Sequence, residues 1–175
     1  MSTIRSSHSE ILAKQILDHY FGGFRKLDNM RPDWLEGLEI DRFYPTLGVA
    51  IEFQGDQHSR IVPGMHQGPG DFRRQIENDT KKQQLLERKG IRLYQINILD
   101  LDRFRVRNLA KRIAEDAKSY TRSKNNLEEL SKIGRIRWDQ EPDERLMKRA
   151  DGFSKVRKTY YRPRKKSWWR RLLRL

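Results

Sequence analysis

Apolar and polar positions alternate over two short neighbouring stretches, Glu39 to Tyr44 and Val49 to Gln54. A period of two is that of a half-buried strand. In the second stretch Val49, Ile51 and Phe53 oppose Ala50, Glu52 and Gln54. Pro45-Thr46-Leu47-Gly48 between them supplies turn residues, so the pair reads as two adjacent antiparallel strands. Upstream, residues 7–21 follow a helical period: Ser7 and Glu10 have capping-box spacing, and Ile11, Leu12, Ile16 and Tyr20 form an apolar stripe ended by Gly22-Gly23. Asp28 to Gly37 reads as a loop containing Pro32 and Trp34.

Gly55 to Gly70, with Pro63, Gly64, Gly68, Pro69 and Gly70, is expected to be irregular. Asp71 to Lys89 follows as a helix, with Phe72, Ile76, Gln83 and Leu86 on roughly one face and Gly90 as its stop. Ile91 to Asn97 is a third strand. Strand, helix, strand implies a right-handed crossover, hence a partly parallel sheet. Leu101 to Tyr120 is a further helix with Leu109, Ala110, Ile113 and Ala114 inside, and Asn125 to Ile133 a short one. The expected fold is α/β: a mixed sheet flanked by helices over residues 5–120, a helical or irregular connector over 121–150, and a basic extension over 151–175.

Charge changes the picture most. The 175 residues carry 38 Lys and Arg against 24 Asp and Glu, a formal net charge of +14, which points to a polyanionic partner, DNA above all. From Asp151 onward a single acid faces Lys155, Arg157, Lys158, Arg162, Arg164, Lys165, Lys166, Arg170, Arg171 and Arg174, interleaved with Tyr160, Tyr161, Trp168 and Trp169. That segment lacks an apolar face and is expected to order only on a partner, its cations on phosphates and Trp168 and Trp169 on bases. A solubilising tail or a short interfacial anchor on a membrane surface is the competing reading. No apolar run reaches the length of a membrane span and Met1 to Ser6 leads into no signal-peptide core, so a cytoplasmic, nucleoid-associated location is expected, with a homodimer compatible.

The absence of cysteine leaves Asp, Glu, His and carbonyl oxygen as metal ligands. On the paired strands Asp41 and Glu52 bring two carboxylates together, a donor set for Mg²⁺, with Mn²⁺ as substitute and the Phe53 carbonyl as a third ligand. Gln54 shares a strand face with Glu52 and is placed to orient a water. A metal that offsets phosphate charge and activates that water hydrolyses phosphodiesters. Solvated strand charges are the alternative reading of Asp41 and Glu52.

The stretch from Leu38 to about Asn97 resembles the PD-(D/E)XK nuclease superfamily, in a branch with Glu-x-Gln in place of Glu-x-Lys, and is similar to small homing and mismatch-repair nicking endonucleases. The resemblance is carried by Ile40-Asp41…Tyr44-Pro45, by Ile51-Glu52-Phe53-Gln54-Gly55…Gln57-His58, by Asp79-x-x-Lys82 and by Gly90-Ile91-Arg92-Leu93. It implies a metal-dependent DNA endonuclease of homing, restriction or repair type. It also implies that a cation replaces the lysine missing at Gln54; Lys82, one helical turn from Asp79, is the candidate, a plain surface ion pair being the alternative. Glu10 matches the helical acid that many members add to the metal site, and its capping role explains it equally well. His58 reads as general base, phosphate contact or loop residue alike. A non-catalytic nucleic-acid-binding protein with a structural acidic pair is the rival from another class.

Overall fold

Tyr44 pairs with Val49, Phe43 with Ala50 and Arg42 with Ile51, so the two alternating stretches form the antiparallel hairpin their turn chemistry demands. In the computed structural model, which describes residues 8–54 and 69–160, these are strands β2 (Ile40–Tyr44) and β3 (Val49–Gln54). Gly48 has φ +62°, and a Cβ there would run into the Tyr120 ring, so both backbone and space require glycine. Helix α1 (His8–Phe21) precedes the sheet. Helix α2 (Pro69–Arg88) leads from β3 into β4 (Arg92–Asn97), which runs parallel to β3. Gly90, at φ +69°, turns the chain between α2 and β4.

A fourth strand, β1 (Leu27–Met30), overlaps the start of the segment Asp28 to Gly37 expected to be loop and pairs antiparallel with β2. Its sequence, Leu-Asp-Asn-Met with Asn29 at φ 52°, has no strand-like alternation. The strand exists because β2 offers it an edge and because Asp28 meets Arg42 across the ladder, with Oδ1 2.7 Å from Arg42 Nε. The sheet order is β1-β2-β3-β4.

Alternation on β2 and β3 sorts the core into two layers. Tyr44, Val49, Ile51 and Ile96 face α1, with Leu12, Ile16, Leu17, Tyr20 and Phe21, and helix α3 (Val106–Ser123), with Leu109, Ala110 and Ile113. Phe43, Ala50 and Ile91 meet Leu86 of α2 and Leu35 on the other side. Of the expected helical stripes, Ile11 is 43% exposed and Ile76 50% exposed, since α1 buries Leu12, Ile16 and Tyr20 and α2, among its described side chains, engages the sheet through Leu85 and Leu86; the Phe72 side chain lies outside the described residues.

The core does not stop near residue 120. Helix α4 (Leu127–Gly134) packs on α3 and helix α5 (Glu144–Tyr160) on α1, burying Ile133, Met147 and Ala150, and the connection between them stacks Trp138 on Tyr20 at 5.6 Å between ring centroids. Residues 121–150 are therefore part of the domain. The boundary expected at Asp151 falls inside α5, where Phe153 still packs against the core. Helix α5 supplies few apolar positions, so its periodicity is weak until α1 provides the other half of the interface.

Candidate active site

One more step in the β2–β3 register places Asp41 opposite Glu52, on the sheet face that α2 covers. Asp41 Oδ2 accepts the Phe53 backbone N–H at 2.7 Å. In an antiparallel ladder the main-chain N–H and C=O of one residue face the same neighbour, so the Phe53 carbonyl lies on the side of Asp41. Lys82, one turn before the buried Leu86, puts its ammonium 2.9 Å from Glu52 Oε1, with the two side chains only 13% and 21% exposed. Asp79, its expected companion, stays exposed. Lys81 turns away to Glu36 at 2.5 Å.

Both acids resist ionisation. Burial pushes the Glu52 carboxyl up to about 7, and the Asp41 charge adds to it, against the opposing pull of Lys82. Burial raises Asp41 as well, with the Glu10 carboxylate adding to it, against the Phe53 amide, Lys82 and Lys14. Lys82 lies off the line of a directed hydrogen bond, and Glu52 Oε1 is buried without one. Two crowded, partly desolvated carboxylates, one with an unsatisfied oxygen, are a donor set that a hard divalent cation relieves. Among the described residues no group of three or more His, Asp or Glu side chains converges. Mg²⁺ takes one or two carboxylates and retains waters, so the Asp41–Glu52 pair with the Phe53 carbonyl fits it.

Glu10 engages Lys14 at 2.8 Å. Gln54, exposed at the end of β3, donates from Nε2 to Gln95 Oε1 at 3.2 Å, and Gln95 stands opposite Glu52 in the parallel β3–β4 register. His58 and the tail residues Arg162, Arg164, Lys165, Lys166, Trp168 and Trp169 lie outside the described residues, as does Ser7 of the capping box. Lys155, Arg157 and Lys158 are positions of α5.

Two cations near the acids escaped the sequence reading. Lys14, only 9% exposed, holds Glu10, sits 2.9 Å from Asn29 Oδ1 and lies 5.8 Å from the Phe53 ring centroid. Arg42, 2% exposed and next to Asp41, bonds Asp28, Asp18 Oδ1 at 2.7 Å and the Lys14 carbonyl at 3.1 Å. Burial works against the charge of Arg42, but its carboxylate partners outweigh it and raise its pKa. The signal was present: Lys14 falls within the apolar stripe of α1, between Ala13 and Ile16, and Arg42 alternates with Tyr44 on the inward face of β2.

The chain is 34% identical over 85 residues to Uncharacterized protein 094L of Frog virus 3 (isolate Goorha), covering 48% of this chain and 55% of that protein. It is 27% identical over 86 residues to Uncharacterized protein 307L of Invertebrate iridescent virus 6, covering 43% and 44% respectively. The chain thus spans about half the length of the curated relatives it matches. No family model and no solved structure matches it. Among the described residues no helix is long and apolar enough to cross a membrane.

Proposed function

We propose that the protein is a metal-dependent DNA endonuclease of the PD-(D/E)XK type, with Asp41 and Glu52 as metal-holding acids and Lys82 as the cation that replaces the lysine absent at Gln54. The observation that carries this reading is the approach of Lys82 Nζ to within 2.9 Å of Glu52 Oε1, from a helix thirty residues further along the chain. A mixed sheet flanked by helices on both faces supports it. A divalent cation at the acid pair would neutralise charge on the scissile phosphate and lower the pKa of an attacking water. The chain's own residues do the rest. Gln54 orients the water through its amide, and Lys82 stabilises negative charge that develops on the phosphate. Lys14 and Arg42 fix α1 and β1 behind Asp41, and the net charge of +14 draws the polyanion in.

Incubation of the full chain with supercoiled plasmid tests the proposal. Mg²⁺-dependent relaxation or linearisation, abolished in Asp41→Asn and Glu52→Gln, is the expected result. A wild type inert with both Mg²⁺ and Mn²⁺ rejects it. The ion pair itself favours a second reading, a nucleic-acid-binding protein in which Lys82 and the Phe53 amide simply satisfy two structural acids. That protein binds DNA and cleaves it with neither Mg²⁺ nor Mn²⁺, and Asp41→Asn and Glu52→Gln leave the Mg²⁺ dependence of its binding unchanged.

A further inference from the structure

Phe104 is 87% exposed, in the turn between the 3-10 segment Ile98–Leu101 and α3, just past the end of β4 that lies alongside Gln54. A lone exposed apolar side chain says little by itself. Here the backbone holds it in place. Asp102 Oδ1 accepts the N–H groups of Phe104 at 3.0 Å and of Arg105 at 2.9 Å, and the Asp102 carbonyl accepts that of Val106 at 3.0 Å. Arg103 is tied to Glu144 of α5 at 2.7 Å. The ring is thus presented to solvent on a fixed turn, between two arginines.

The chain neighbour of Phe104, Arg105, lines a cleft of about 340 Å³ between the β4 strand and α3, together with Gln95, Asn108 and Arg112 among others. Arg112 has no carboxylate partner among the described residues, and Arg105, 65% exposed, has only Asp102 at 3.5 Å. Asp100, also on the wall, is engaged by the Asn97 N–H at 3.0 Å. Gln95, at the rim, stands opposite Glu52 and accepts from Gln54, while Tyr94 and Ile96 on the other face of β4 line the cleft.

We infer that Phe104 and this cleft, at the β4 edge of the sheet, form a subsite for one unpaired DNA nucleotide, its base stacked on the Phe104 ring and its phosphate between Arg105 and Arg112. The inference rests on reading Asp41 and Glu52 as the nuclease centre. It makes the substrate DNA with a single-stranded element, since a base offers its face to an aromatic side chain only when it is out of the duplex stack.

The test measures binding of the full chain in EDTA to a labelled oligothymidylate and to a blunt duplex of equal length, and cleavage separately in Mg²⁺. Phe104→Ala should weaken oligothymidylate binding about tenfold and leave the duplex unchanged, with Phe104→Trp restoring it. Arg112→Gln should also weaken it and reduce the salt slope by about one. Phe104→Ala equal to wild type on the single strand, or a wild type that ignores single strands, overturns the subsite. The two readings fail separately. A wild type that cleaves nothing, while Phe104→Ala still loses single-strand binding, leaves the subsite standing without the nuclease. Cleavage by wild type and Phe104→Ala at equal rates on flap DNA removes the subsite and keeps the nuclease.

Discussion

Lys82 and Glu52 meet at 2.9 Å between α2 and β3, both largely sheltered from solvent, while Lys81 reaches Glu36 on the far side of the helix. Adjacent residues on a helix point about 100° apart, so only one of this lysine pair can serve the acids. Lys82→Ala is expected to lower the cleavage rate about 10²-fold, in line with removing one electrostatic partner of the developing charge. Lys81→Ala should stay close to wild type. Single-turnover cleavage of plasmid by both variants checks this, and equal reductions would show that only general basicity matters.

Asp41→Asn and Glu52→Gln should abolish cleavage while DNA binding remains equal or slightly tighter, because a negative charge near phosphate is removed. Gln54→Ala should turn over about 10²- to 10⁴-fold more slowly, the range associated with a positioned proton-transfer or water-orienting group. Binding isotherms in EDTA beside cleavage rates in Mg²⁺ separate the two effects. A catalytically normal Asp41→Asn rules out the assignment.

Metal-free stability should fall as pH rises across the Glu52 titration. The folded carboxyl titrates at about 7 against an ordinary 4.5, so between these values the folded state holds a proton that the unfolded state has released. Its contribution is neutral below about 4.5 and becomes destabilising, by about 3 kcal/mol at most, once pH exceeds 7. Glu52→Gln should remove that slope and be the more stable protein at pH 8. Urea unfolding in EDTA at several pH values measures it; parallel slopes for the two proteins would contradict the argument.

Gly48→Ala should destabilise by about 2 kcal/mol or more, since a Cβ at φ +62° is strained and meets the Tyr120 ring. Tyr120→Ala should recover the steric share but not the backbone share. Arg42→Met, which leaves Asp18 with Lys26 and Asp28 with Lys14 as their remaining cations, should cost about 1 to 3 kcal/mol, below the fully buried case because both acids are partly exposed and keep a partner. Thermal unfolding of the single variants and of Gly48→Ala/Tyr120→Ala reads all three.

Truncation after Tyr160 keeps the whole of α5 and removes Arg162, Arg164, Lys165, Lys166, Arg170, Arg171 and Arg174 with no acid. DNA affinity should drop and its salt dependence flatten by about 0.9 in log–log slope for each phosphate no longer neutralised. Truncation at Asp151 should in addition destabilise the fold, because Phe153 packs against the core. Salt series for full-length and truncated chains decide it, and superimposable slopes would exclude the tail from the DNA interface.

Local pattern alone was enough to place β2, β3, α2 and β4, and with them the facing of Asp41 and Glu52. These elements have local periodicity, turn residues with a specific backbone demand and short connections between β2 and β3 and between α2 and β4, so much of the pairing register follows from neighbours in the chain. The position of Lys82 one turn from Leu86 was legible for the same reason. What depends on partners far along the chain took shape only in the assembled fold. Strand β1 has no pattern of its own and forms because Asp28 meets Arg42. Lys14 is buried because Asn29 and Glu10 converge on it, which draws Glu10 towards α1's own lysine. Helices α4 and α5 join the core only where α3 meets α4 with Ile133 and α1 meets α5 with Met147 and Ala150. Periodicity records which face of an element is buried; which polar side chains meet inside is set by geometry between elements, where no local rule applies.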